Sequence, residues 1–317
     1  MSAQDVPQQP VPTVSEEQDY IFAYGLYRDS LYQIAAQQFE EFVTKYPGSI
    51  KQQDAAFLHV ECLFQSSQYQ QALIKYKEFI QHYPTSRYVP EAHLKLGQTS
   101  IHLKKNNEAI AAFKTVLDMY SESEQAGEAA YWIGEASLRN DDTQNALKYY
   151  TLAYENYPKN RLRDYALYSI AWTHQKRTEY AQAVECYSRL ISEFPQSSLT
   201  PGAHVHRGEC YYYAKDYQRA IDALMKSRVD IHNEEELGNA DYLIAEAFYK
   251  QGDTESAQKR YEQFLVDHPQ HTFAPEVTYL LGWSYLHQQN YPQASKIFLT
   301  LSKRNDELGM LHCIAAQ

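Results

Sequence analysis

Little in the sequence would break it into separate domains. Its 317 residues contain only 11 Gly and 12 Pro, scattered evenly, with no linker-like run. A single elongated array is the simpler organisation. The chain also has no apolar stretch of about 18 residues, so no membrane-spanning helix is expected. The first residues lack the basic start and apolar run of a secretory signal. Four cysteines in so long a chain make no disulfide framework. No window gathers Lys and Arg into a stripe, and the formal net charge is −11, which argues against nucleic acid or an anionic membrane as partner. Catalytic signatures are missing too: there is no Gly-rich phosphate loop, no His-Glu-x-x-His and no Gly-x-Ser-x-Gly elbow.

What the sequence does have is tyrosine and a repeat. Twenty-nine Tyr suit interfaces that are half dry, because the side chain joins a large apolar ring to a polar tip. A small residue recurs every 37 positions at Ala35, Ala72, Ala109, Ala146, Ala183, Ala220, Ala257 and Ala294. Twelve residues before each lies a second, mostly small slot: Ala23, Val60, Gly97, Gly134, Ala171, Gly208, Ala245 and Gly282. Four residues after each recurrent Ala stands a large apolar residue, namely Phe39, Tyr76, Phe113, Tyr150, Tyr187, Leu224, Tyr261 and Phe298.

Apolar residues at i, i+3, i+4 and i+7 around each small position predict amphipathic helices, two per unit, crossing closely at the small slots. Breakers agree: Tyr46-Pro47-Gly48-Ser49, Tyr83-Pro84-Thr85-Ser86, Tyr157-Pro158, Phe194-Pro195 and His268-Pro269 follow the second helix. Pro90, Gly127, Pro201, Gly238 and Pro275 fall at one phase, read as lying just before the next helix. One such hairpin cannot bury its apolar face alone, so stacked neighbours must share a core.

This order of small residue, Ala, aromatic and Pro resembles the tetratricopeptide repeat, and all eight units carry it. The resemblance implies an all-α, right-handed superhelical solenoid of eight helix-turn-helix repeats plus the start of a ninth. Residues 1–15 read as a disordered Pro/Gln-rich leader or newly exposed mature terminus, and 16–308 as the repeats. Residues 309–317 read as the start of a further, truncated helix whose exposed apolar face implies a longer protein or a covering chain. The 37-residue unit, its Tyr-Pro-x-Ser endings and the starts Glu91-Ala92 and Glu128-Ala129 resemble bacterial envelope proteins of the BamD and YbgF types. That likeness implies a periplasmic or outer-membrane-associated protein, with cytoplasmic scaffolds as the alternative.

No catalytic, cofactor or metal site is expected. Cys62 and Cys210 replace small core residues, two places after the small slot. His206 with Cys210 at i, i+4, and His204 nearby, is the best metal pairing present, but without a third ligand it reads as polar surface, as do His59 and Cys62. Asp141-Asp142 and Glu234-Glu235-Glu236 read as solvated turns.

In this repeat family the first helix of each pair lines a groove that holds peptides or partner helices. Counted from the small slot, positions −6, −3, +1, +4 and +5 share the groove-facing arc. The candidate partner-binding residues are Tyr24, Glu61, Tyr131, Glu135, Tyr168, Trp172, Glu209, Tyr242, Glu246, Tyr279 and Trp283. Two readings stay open. The aromatics at −3 border the core arc and would serve inter-repeat packing, whereas Trp172 and Trp283 at +1 point further out, where a large ring calls for a ligand. The glutamates at +1 are either a solvated stripe or a surface for basic peptides. Family members that clamp acidic C-termini use Lys and Asn at −3 and +1, which this chain lacks, so an apolar-rich, neutral-to-basic protein segment is the expected ligand. The function expected is a non-catalytic scaffold, or alternatively the binding arm of a larger protein.

Overall fold

The computed structural model describes residues 14–302, and among them every regular element is a helix. The chain divides into two compact units, Met1–Ala166 and Leu167–Gln317. In the first, α1 (Val14–Arg28) pairs with α2 (Tyr32–Lys45), α3 (Gln52–Gln65) with α4 (Tyr69–His82), α5 (Val89–His102) with α6 (Asn106–Met119), and α7 (Gln125–Arg139) with α8 (Thr143–Glu155). α9 (Arg163–Lys176) begins at the unit boundary. The second unit holds α10 (Tyr180–Glu193), α11 (Thr200–Tyr213) with α12 (Tyr217–Ser227), α13 (Glu234–Gln251) with α14 (Thr254–Asp267), and α15 (Ala274–His287) with α16 (Tyr291–Ser302). Within each unit the second helix of a hairpin also packs on the first helix of the next, as α2 does on α3 and α12 on α13. The expected leader, but for its last residues, and the expected start of a ninth repeat lie outside the described residues.

The 37-residue code is a packing code. A Cβ on Gly97 would stand 2.3 Å from the Phe113 ring, one on Gly134 2.5 Å from Tyr150, and one on Gly208 2.6 Å from Leu224. The small slot on each first helix is therefore the seat of the large residue on its own second helix. Phe39, Tyr76, Phe113, Tyr150, Tyr187, Leu224 and Tyr261 are all fully buried there. Each such side chain contributes on the order of 2–3 kcal/mol of burial.

Both turns recur. At Ser30, Ser67, Lys104, Asp141, Thr178, Lys215 and Gln289 the first helix ends on a residue with φ between 58° and 64°, and Gly252 takes the same place with φ 89°. The next residue closes the helix with a Schellman bond, for example Gln68 N–H to Leu63 O at 2.8 Å. Second helices end in a tight turn, Ser49 N–H donating to Tyr46 O at 3.1 Å and Ser86 N–H to Tyr83 O at 3.0 Å, with Pro at the position it favours.

Pro90, Pro201 and Pro275 do not precede their helices, as the sequence suggested, but occupy the first turn of α5, α11 and α15. Proline is tolerated there because that N–H has no partner inside the helix. Gly127 and Gly238 also lie inside their helices, where the turn that follows presses close: Asn160 Cβ would come within 2.7 Å of a Cβ on Gly127, and the His271 ring within 2.4 Å of one on Gly238. The exception to the turn pattern is Ile231-His232-Asn233, which replaces the Tyr-Pro ending. Here α12 gives way to a single 3-10 turn, Arg228–Asp230, and α13 starts early, capped by Asn233 Oδ1 accepting from Glu236 N–H at 3.1 Å.

Candidate partner-binding site

The +1 glutamates are not a solvated stripe. Glu61 and Glu246 are buried. Each accepts a hydrogen bond from the tyrosine fifteen residues later on the second helix: Tyr76 Oη lies 3.0 Å from Glu61 Oε2, Tyr150 Oη 2.7 Å from Glu135 Oε1 and Tyr261 Oη 2.5 Å from Glu246 Oε1. A tyrosine buried to its tip must find an acceptor, and a carboxylate on the facing helix supplies one. The remaining carboxylate charge meets a cation, Lys95 at 3.3 Å from Glu61, Arg139 at 3.7 Å from Glu135 and Lys250 at 3.9 Å from Glu246. Burial, reinforced by the neighbouring Glu61, drives the Tyr76 hydroxyl well above its usual range, so it stays protonated and donates.

Glu209 has Leu224 beneath it, and so turns to His206 Nδ1 at 2.8 Å and to the amide of Gln175, which donates at 3.1 Å. Burial alone would raise this carboxyl, but the bonds from His206 and Gln175 outweigh it and hold it below the ordinary value. His206 thus serves Glu209, and among the described residues no three His, Cys, Asp or Glu side chains converge as a metal site. Burial pushes the Cys62 and Cys210 thiols up to about 12.

The −3 aromatics pack within their units. Tyr131 meets the ring of Tyr150, Tyr168 those of Tyr187 and His206, and Tyr279 that of Phe298. Tyr242 stacks on Phe273 with centroids 4.4 Å apart and donates to Glu276 at 3.0 Å. Trp283 is half-buried against Phe298 and His287. Two candidates remain open to solvent, Tyr24 at 47% and Trp172 at 39% exposure. The indole of Trp172 offers Tyr187 no acceptor, so the hydroxyl donates to Gln175 at 2.9 Å instead, and the ring stays at the surface beneath Lys176, 5.8 Å from its centroid.

Sequence reasoning placed +4 and +5 on the groove arc but did not read them as rows. At +4 stand Tyr27, Phe64, Ile101, Leu138, Gln175, Tyr212, Tyr249 and Leu286, all half-buried. At +5 stand Arg28, Gln65, His102, Arg139, Lys176, Tyr213, Lys250 and His287, all exposed and none acidic. The cations are 37 residues apart or multiples of it, so no sequence window could gather them; aligning the repeats column by column would have. Each unit therefore presents a half-dry apolar row edged by basic side chains.

The sequence profile described as outer membrane lipoprotein, YfiO, matches residues 12–106 and 205–307, more than half of the chain. The chain belongs to that family. Tetratricopeptide-repeat profiles match residues 88–161 and 165–197, between and overlapping the two segments. No curated protein matches the sequence. Among solved structures, a tetratricopeptide repeat protein from Parabacteroides merdae is similar at 16% identity, with 86% of this chain and 99% of that one covered and a TM-score of 0.54. The C-terminal part of a repeat-containing protein from Cytophaga hutchinsonii is similar at 13% identity, covering 81% and 98%, with a TM-score of 0.64. At these identities the likeness speaks for the fold alone; it is the tetratricopeptide-repeat profiles that point to protein–protein interaction. No described helix is long and apolar enough to cross a membrane.

Proposed function

We propose that this chain is a non-catalytic adaptor of a bacterial cell-envelope complex, holding an extended or helical segment of a partner protein against its first helices. The observation that carries the reading is Trp172, a large ring left exposed on a first helix whose equivalents at Glu61 and Glu246 are buried. Exposed indoles of this kind are frequent anchors of protein interfaces. The family, described by its outer membrane lipoproteins, supports the envelope setting. An apolar-rich ligand fits the +4 row. The expectation of a neutral-to-basic ligand rested on the lack of Lys and Asn at −3 and +1 and on like charge from the +1 glutamates; three of those glutamates are bonded to tyrosines, so the first ground is the one that stays.

Affinity purification from the source cells, with the parent beside a Tyr24→Ala/Trp172→Ala variant, tests the reading. An envelope protein retained by the parent and lost by the still-folded variant is the expected outcome. Unchanged retention would place binding away from these rings.

A further inference from the structure

The first unit holds a cleft of about 650 Å³ lined mostly from the first helices α3, α5 and α7. Phe64, Ile101 and Trp132 give it apolar walls, and Lys104 and Arg139 line it with charge. No Asp or Glu lines it, in a chain whose formal net charge is −11. The two cations differ from ordinary surface charges. Lys104 sits on the turn after α5 with φ 59°, which fixes where its side chain leaves the backbone, and it has no ion pair among the described residues. Arg139 has only the long 3.7 Å contact to Glu135, whose other oxygen already accepts from Tyr150. The indole Nε1 of Trp132 is buried and has no acceptor.

Cations near the C-terminus of a helix are stabilised by the helix dipole whatever the function. That effect acts equally on both helices of a hairpin. Yet six first helices carry a basic or histidine side chain in their last turn, against three second helices, those with Lys45, His82 and Lys226. The excess lies on the groove side.

We infer that this cleft takes an acidic–aromatic segment of a partner protein, with an apolar ring on Phe64, Ile101 and Trp132 and the neighbouring carboxylate between Lys104 and Arg139. The inference rests on the adaptor reading and narrows it to a ligand chemistry opposite to what the +1 glutamates suggested. Charge complementarity selects the ligand: a basic segment would meet two cations, and an uncharged one would leave Lys104 unmatched and Arg139 with only its long contact to Glu135.

The test uses the purified full chain and two fluorescein-labelled synthetic peptides of equal length, one alternating Phe with Glu and the other Phe with Lys, followed by anisotropy. Binding of the Phe/Glu peptide should be tighter by roughly tenfold, although the protein's overall charge favours the other. Lys104→Gln/Arg139→Gln should weaken that binding by about tenfold with an unchanged melting temperature. Trp132→Ala, which removes one apolar wall, should weaken it by roughly threefold or more. The inference is overturned if the Phe/Lys peptide binds as well or better, if neither binds, or if the double variant binds the Phe/Glu peptide like the parent. In each of those cases the adaptor reading still stands or falls separately, on retention of the cellular partner through Tyr24 and Trp172.

Discussion

The second and fifth repeats bury the same tyrosine and treat its hydroxyl differently. Tyr76 donates to Glu61 on the facing helix, which draws that glutamate into the core, whereas Tyr187 reaches Gln175 one turn further along and leaves Trp172 at the surface. The difference teaches that the fate of a groove position is set by the pair it forms with the residue fifteen places later: a carboxylate accepts the tyrosine's hydroxyl and is drawn in, and an indole, which has no acceptor, is not. A carboxylate on a groove-facing arc is available to a partner only if nothing beneath it needs an acceptor.

The comparison can be broken at its root in the fourth repeat, where Glu135 and Tyr150 form the same pair as in the second. Gly134→Val would drive two methyl groups into the Tyr150 ring, already 2.5 Å from a Cβ at that position. We expect a loss of about 3 kcal/mol, measurable by thermal or urea denaturation. Tyr76→Phe strips one oxygen of the buried Glu61 carboxylate of its donor, Gln65 and Lys95 holding the other, and should cost about 2 kcal/mol; Tyr187→Phe deprives only a neutral amide and should cost about 1 kcal/mol. Equal effects would show that the two repeats are not distinguished by the acceptor.

A fourth variant sharpens the contrast through pH. Glu209 has a depressed pKa, held by His206 and Gln175 against burial. A carboxyl whose folded value lies below its unfolded one stabilises the protein above the unfolded value, and that stability is lost as pH falls through the folded one. The acid limb of stability should therefore flatten in Glu209→Gln, and an unaltered limb would assign the dependence elsewhere.

The period, the hairpins and the small-and-large packing pair were all legible in the sequence, because they depend on residues of one class at a fixed spacing. The left-handed turn positions were not, since Ser30, Lys104, Asp141 and Thr178 share no residue type and only Gly252 announces the conformation. The early start of α13 was hidden for a related reason: Asn233 is one cap among many polar residues until the missing Tyr-Pro ending is noticed. At the candidate site, the Glu–Tyr bonds join two columns that mean little until read together, and the basic row at +5 is invisible to any window shorter than a repeat.

Smaller effects follow from the turn. Thr178 is β-branched at φ 60°. Thr178→Gly should stabilise by about 0.5 kcal/mol, the relief of a left-handed residue partly offset by unfolded-chain entropy, and Gly252→Thr should destabilise by about 1 kcal/mol. Trp172→Ala should change stability least, by less than about 0.5 kcal/mol, because the ring is exposed.

The central claim is that partners are held on the first-helix rows and not on the second helices. Site-specific photo-crosslinking in the source cells at Trp172 and at His102, with exposed Val266 on α14 as the comparison, tests it most directly. The account predicts a protein adduct from the two first-helix positions and none from Val266. Adducts from Val266 alone would contradict it.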